Sequence, residues 1–214
     1  MRHQPHLYLP GAWSDALLEV PESARSHLTK VLRLAEGTTI TYGDGSGAIG
    51  VGTWRGMAVE RGDESIVEEP TPHLTIAVAP PKARDRQRII VEKLQELRVS
   101  CLAWLRTERG QVRPPSPERA GSWAISAFEQ SRGSHLIRIT EVALTDLRDG
   151  IAASVDSAER LVDVAPWDRV VVAIGPEGGF SPSELGHFTI HANLGPSILR
   201  TDTAAIAAAV AIRC

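Results

Sequence analysis

Two stretches of this sequence combine residue types and spacings that could do chemistry, and both lie in its last third. The first is Gly175-Pro176-Glu177-Gly178-Gly179-Phe180, with three glycines within five positions, directly after the apolar run Val170 to Ile174 and directly before Ser181-Pro182-Ser183-Glu184. Glycine tolerates positive φ and lets a flat ligand come close to the backbone. A loop at the carboxyl end of a buried strand is where open α/β sheets take ligands, although a glycine loop can also be no more than a tight turn. The spacing excludes two nucleotide readings. A phosphate-cradling loop needs Lys and then Ser or Thr after its last glycine, and Phe180-Ser181 stands there. The dinucleotide fingerprint fails at Pro176, and Glu177 would point a carboxylate toward a pyrophosphate. An anionic loop rejects an anionic ligand and tolerates a cationic one, such as a sulfonium ion.

The second stretch is Leu194-Gly195-Pro196-Ser197-Ile198-Leu199-Arg200-Thr201-Asp202-Thr203, followed by the apolar run Ala204 to Ile212. Gly195 and Pro196 break a preceding strand, Thr201 or Asp202 can cap a helix, and alanine carries that helix without bulk, so that backbones can pack closely. An ordinary C-terminal helix accounts for the alanines but not for the constrained run before them.

The elements that must position these loops alternate between strand and helix. Leu74 to Val78 reads as a strand and Arg88 to Leu97 as a helix, with Ile89, Ile90, Leu94 and Leu97 at helical spacing. Cys101 to Leu105 is a second strand and Pro117 to Gln130 a second helix, opened by prolines. The apolar run Val170 to Ile174 is the pattern of a parallel strand covered on both faces. This half is therefore predicted to be an α/β domain with a mainly parallel sheet. The first seventy residues differ. Gly43-Asp44-Gly45-Ser46-Gly47 separates the β-prone runs Thr38 to Tyr42 and Ala48 to Trp54, a hairpin pattern, and Glu22 to Leu34 has helical spacing with Gly37 as a stop. The acidic, proline-broken segment Glu68-Glu69-Pro70-Thr71-Pro72 suits a linker, which divides the chain into residues 1–70 and 71–214.

A chain of 214 residues with 43% hydrophobic content can bury a sizeable core. No apolar run is long enough to span a membrane and no signal-type segment follows Met1, so a cytoplasmic location is expected. Cys101 and Cys214 form neither a disulfide framework nor a metal cluster, and the His and Asp residues show no metal-ligand spacing. The net charge of −3 gives no global basic field. Local basic sets do occur, at Lys82, Arg84, Arg86 and Arg88 and more loosely at Arg106, Arg109, Arg113 and Arg119. Each reads either as a phosphate grip or as a solvated face.

Taken together, "IGPEGGFSPSE" and "LGPSILRTDTAA" resemble the two C-terminal signatures of the RsmE family of small-subunit ribosomal RNA uridine-N3 methyltransferases, which belong to the SPOUT superfamily. "HLTKVLRLAEGTTITYGDGSG", from His27 to Gly47, is similar to the family's N-terminal signature, and "AFEQSR", from Ala127 to Arg132, to its central one. The resemblance spans nearly the whole chain. It implies a small PUA-like β-barrel domain for RNA over residues 1–70, then a SPOUT domain over 71–214 with a mainly parallel sheet and a deep trefoil knot. It also implies a homodimer, S-adenosylmethionine as cofactor, and methylation of N3 of a specific uridine in 16S rRNA, as naked RNA or in a 30S particle. The chain departs from the family pattern at Arg132-Gly133 and Ile137, where members have Gly-Arg and then a proline, at Arg98, where the helix of other members continues with glycine, and near Ser154-Val155, where members have a His-Glu pair before the knot.

By the same resemblance the cofactor is cradled by Gly175, Glu177, Gly178, Leu194, Gly195, Ile198 and Leu199, with Thr203 either bonding to it or capping the helix. Uracil N3 carries a weakly acidic proton, so transfer needs that proton removed and a cation near O2 or O4. Arg200 is the candidate cation, unless it is a structural partner of Asp202 or Glu177. Glu177 is a candidate base, or it fixes the loop by accepting backbone N–H bonds, the role favoured here. Candidate RNA contacts are Arg2, His27 and Arg33 in the first domain and Lys82, Arg84, Arg86 and Arg88 in the second, with His27 equally readable as a packed residue. No metal is required. The competing functions are a SPOUT methyltransferase of another RNA or base position, and a non-catalytic RNA-binding assembly factor.

Overall fold

A computed structural model describes residues 4–147, 149–166 and 168–214, so Arg2 lies outside the described residues. The chain forms two compact units, one of Met1–Glu69 with Ile125–Leu136, the other of Pro70–Ala124 with Ile137–Cys214.

The first unit is a curled five-stranded sheet in the order β1-β3-β4-β5-β2, comprising β1 (His6–Tyr8), β2 (Leu17–Glu19), β3 (Thr39–Gly43), β4 (Ala48–Trp54) and β5 (Ala58–Ile66). The expected hairpin is β3 and β4, with Tyr42 opposite Gly50. Asp44 makes its turn, accepting the N–H groups of Ser46 at 2.7 Å and Ala48 at 3.0 Å through Oδ1, the side-chain-to-backbone bonding that suits Asp to turns. Alternate residues point inward, and Leu7, Leu18, Ile40, Tyr42, Trp54 and Val59 form the core.

The helix expected from Glu22 to Leu34 is shorter and broken. Regular α1 (Glu22–Ser26) passes into a wider π-type turn over His27–Val31, where Leu28 is the buried residue. Closure comes from Leu34 donating to the Leu28 carbonyl at 2.9 Å with Arg33 left-handed at φ 49°, so the stop is Arg33 and not Gly37.

The segment Ile125–Leu136 joins this unit because "AFEQSR" is a packing device. Phe128 is fully buried, with its ring centroid 5.3 Å from that of His6 and 5.4 Å from that of Tyr8, and Glu129 Oε1 accepts the Tyr8 N–H at 3.1 Å. His6 bonds through Nε2 to the Gly133 carbonyl at 3.0 Å. Nothing in the periodicity of Pro117 to Gln130 marks where its packing partner changes.

The second unit holds six strands in the order β11-β9-β10-β6-β7-β8: β6 (His73–Val78), β7 (Cys101–Arg106), β8 (Arg138–Ala143), β9 (Ile151–Ala153), β10 (Arg169–Ile174) and β11 (Ile190–Ala192). Every pairing is parallel. The helices are α2 (Arg84–Glu96), α3 (Pro117–Ser131, whose last residues belong to the first unit), α4 (Leu161–Val164), α5 (Pro182–Leu185) and α6 (Thr201–Arg213). Central strands are apolar on both faces, as the run Val170 to Ile174 predicts: Leu74, Ile76, Val78, Leu102, Val170 and Val172 are buried together with Ala77, Ala103 and Ala173 from the opposite side. Ala204, Ala205, Ala208 and Ala209 form the buried face of α6, which packs against α2 and β6. Methyl-sized side chains allow that close approach. Among the described residues, no helix is long and apolar enough to cross a membrane.

Candidate functional site

The carboxyl ends of β9 and β10 lie side by side, with Ala152 and Ala173 in register. The glycine loop leaves β10 there. Gly175 leaves little room for a side chain, since a Cβ on it would lie 3.2 Å from the Phe180 nitrogen and 3.3 Å from Phe180 Cδ2 and would crowd the turn by a few tenths of an ångström. Gly179 has φ 67°, a left-handed conformation that a side chain would strain. The loop thus folds back on itself and drops Phe180 into the apolar cluster with Phe188, ring centroids 5.8 Å apart.

A capping box ends the loop. Ser181 Oγ accepts the Glu184 N–H at 3.2 Å while Glu184 Oε2 accepts the Ser181 N–H at 2.8 Å, with Pro182 in the first turn of α5. The other Glu184 oxygen accepts the Glu108 N–H at 2.7 Å. Glu177 does not fix the loop as favoured from sequence: its carboxylate is exposed and accepts no bond among the described residues, while the Gly179 N–H goes to the Pro176 carbonyl and the Ser181 N–H to the buried Glu184.

The second loop runs from β11 to α6. Its first helical residue, Thr201, is buried and donates through Oγ1 to the Gly175 carbonyl at 3.3 Å, which ties the two loops together. The N-cap of α6 is Arg200, with no side-chain capping bond, so neither Thr201 nor Asp202 caps the helix: both already lie within it. Asp202 faces Arg86, 4.0 Å from Nε to Oδ2. Arg200 is exposed and has no acidic partner among the described residues, neither Asp202 nor Glu177.

Between the loops lies a cavity of about 250 Å³. Its walls come from Ala153 to Asp156 after β9, from Ile174 to Glu177 with Gly179, Phe180 and Leu185, and from Leu194, Ser197 to Leu199, Thr201 and Ala204. Among the described residues, the lining contains the carboxylates Asp156 and Glu177 and no lysine or arginine. Such a pocket is built for an apolar ligand with positive charge and penalises phosphate. Ile198 is 87% exposed and stands at its edge.

Of the residues assigned to the cofactor from sequence, Gly175, Glu177, Leu194, Ile198 and Leu199 line this cavity. Gly178, Gly195 and Thr203 do not. Gly178 turns outward against Arg109, Gly195 lines a neighbouring depression with Val162 and Ala211, and Thr203 sits on the exposed face of α6. The sequence reading noted Ser154-Val155 only as a departure from the family and did not place Ala153 to Asp156 in the site, because a three-residue strand is too short to show periodicity. It also missed the inward-facing Phe180 and Thr201.

Among the basic candidates, Lys82 and Arg84 are exposed and have no acidic partner among the described residues. Arg86 faces Asp202, and Arg88 bonds to Glu92 one turn on at 2.6 Å. In the first unit, His27 is exposed; burial holds the nearby Glu129 carboxyl above the usual carboxylate range, and the Tyr8 N–H bond and the charge of His27 only partly oppose that rise. Arg33 is exposed in its left-handed position. Among the described residues, no group of three or more His, Cys, Asp or Glu side chains could hold a metal ion.

Comparison with known proteins agrees with this architecture. Residues 67–213 match the RNA methyltransferase domain family. A ribosomal RNA small subunit methyltransferase E of Mycobacterium bovis is 28% identical over 95% of this chain and 88% of its own length. The structure of a Neisseria gonorrhoeae protein of the same name, bound to S-adenosylmethionine, superposes with a TM-score of 0.86 at 26% identity, covering 98% of this chain and 97% of that one. A Legionella pneumophila methyltransferase in complex with the same cofactor gives a TM-score of 0.83 at 28% identity, covering 98% and 97%. With the cavity at the carboxyl end of its parallel sheet and the match over residues 67–213, the chain belongs to the RNA methyltransferase domain family.

Proposed function

We propose that this protein methylates N3 of a specific uridine in 16S rRNA with S-adenosylmethionine as donor, in the cytoplasm, as a homodimer. The observation that carries the reading is the cavity between the two loops, with the Asp156 and Glu177 carboxylates in its lining and, among the described residues, no basic side chain. The same fold holds S-adenosylmethionine in the Neisseria and Legionella proteins. When bound, the cofactor supplies a methyl carbon already activated by a sulfonium, so the protein's task is positioning and proton removal.

The apolar walls from Leu194, Leu199 and Phe180 suit a flat adenine, the Ser154, Ser197 and Thr201 hydroxyls suit a ribose, and the two carboxylates match the cationic groups. Gly178 and Gly195 act through loop shape rather than by contact. Arg200, without an acidic partner among the described residues at the foot of the second loop, stabilises negative charge on a uracil carbonyl oxygen as the N3 proton leaves. Glu177, exposed and unbonded, takes that proton. His27, Arg33, Lys82 and Arg84 hold the RNA. On this reading the first unit is a PUA-like RNA module and the C-terminal loops form a deep trefoil knot.

Incubating small-subunit particles lacking the modification with methyl-labelled S-adenosylmethionine and this protein, then separating the nucleosides, tests the reading. Labelled 3-methyluridine is expected. Label in another nucleoside, or in another RNA alone, overturns the assignment, and no cofactor binding by calorimetry overturns the enzyme reading altogether.

A further inference from the structure

The loose basic set after β7 contains a residue whose partners are backbone, not carboxylate. Arg109 Nη1 donates to the Gly178 carbonyl at 2.8 Å and reaches the Phe180 carbonyl at 3.5 Å. The aliphatic part of the side chain lies along Gly178, where a Cβ would sit 3.7 Å from Arg109 Cδ. The adjacent Glu108 makes a second attachment, because its N–H donates to the buried Glu184 at 2.7 Å and its Oε1 accepts the Ser183 hydroxyl at 3.0 Å. The segment Glu108–Arg109 is thereby braced at both ends of the turn Gly178–Glu184.

Gly178 is the one residue between Gly175 and Phe180 that does not line the cavity. Its carbonyl points outward to the guanidinium, while its neighbours Glu177 and Gly179 face inward. Two glycines leave that peptide sterically free to flip, against the bond from the Gly179 N–H to the Pro176 carbonyl at 2.8 Å, and a flip would carry the Gly178 carbonyl dipole toward the pocket. We infer that Arg109 is a positioning residue for the methyl donor: by holding the Gly178 and Phe180 carbonyls outward it fixes the loop in the form that accepts the cofactor. Its role belongs to the donor side of the reaction and not to RNA phosphate, where its place in a basic set would otherwise put it. This rests on the proposed use of S-adenosylmethionine.

The test is steady-state kinetics and calorimetry on the full chain for Arg109→Ala and Arg109→Lys. Arg109→Ala is expected to raise KM and Kd for S-adenosylmethionine about tenfold, the effect of losing one or two charge-assisted bonds. The KM for RNA and its salt dependence should stay at the wild-type values, and kcat at saturating cofactor within about threefold. Arg109→Lys, which keeps one donor in reach, should recover most of the affinity. A general structural role would lower kcat and RNA binding together, and circular dichroism melts identify a variant that has lost its fold, in which case the Lys variant carries the comparison. An unchanged cofactor KM, or a rise in RNA KM instead, overturns the inference. Absence of cofactor binding by the wild-type protein overturns the proposed function, a separate outcome.

Discussion

At the scale of single residues, chemistry and stability meet at His6. Its ring is buried against Phe128, bonded to the Gly133 carbonyl on one side and to the Thr41 hydroxyl on the other at 2.9 Å. Burial lowers its pKa below the ordinary 6.5, the Gly133 bond opposes that shift, and the charge of Arg132 adds to it. The folded protein therefore prefers neutral His6 and the unfolded chain takes up the proton first. Stability from this group is fully present above pH 6.5 and is lost as pH falls from there through the folded-state pKa. Urea midpoints measured from about pH 7.5 to 5 should fall, and the fall should be smaller in His6→Asn, which keeps a polar side chain without the titration. An equal fall in the variant would assign the effect to other groups.

At the scale of elements, two helices end on arginine in a conformation that favours glycine. Arg98 ends α2 and Arg132 ends α3, with φ of 54° and 56°, and in each case the next N–H closes a bond back to the helix: Val99 to Leu94 at 3.0 Å and Gly133 to Phe128 at 2.8 Å. This is the helix stop that favours glycine. Arg98 is exposed and holds no partner among the described residues that repays the left-handed backbone. Arg98→Gly should therefore stabilise the protein by about 1 kcal/mol, read as a higher denaturant midpoint at unchanged slope. Arg132 differs, since its Nη2 donates to the Gln4 carbonyl at 3.1 Å, so glycine there would lose a bond as well as the strain.

At the scale of the molecule, a net charge of −3 means that RNA must be held by local patches. The structure sorts the basic run at the start of α2 into paired and free charges. Lys82 and Arg84 are free of acidic partners among the described residues, whereas Arg86 faces Asp202 and Arg88 is engaged by Glu92. Lys82→Ala and Arg84→Ala should each weaken RNA binding and lower the slope of log K against log salt by about one unit. Arg88→Ala should change the slope less, since its charge is already partly offset. Filter binding at several salt concentrations checks the ranking, and equal slopes for all variants would remove this face from the RNA interface.

The sequence by itself determined whatever depends on neighbours along the chain. The hairpin around Asp44, the apolar parallel strand Arg169–Ile174, the glycine turn after it, and the proline and capping residues that open α5 are set by local sterics and bonds over three or four residues, so their signatures are legible. Tertiary structure decided what distant segments supply. The cavity wall at Ala153 to Asp156 exists because a three-residue strand is placed between β10 and β11, and the outward turn of Gly178 because Arg109 arrives from the end of β7. It also assigned Ile125–Leu136 to the first unit and gave loop fixation to Glu184 rather than Glu177. Sheet order and long-range burial make those choices, and they leave no periodic trace in the sequence.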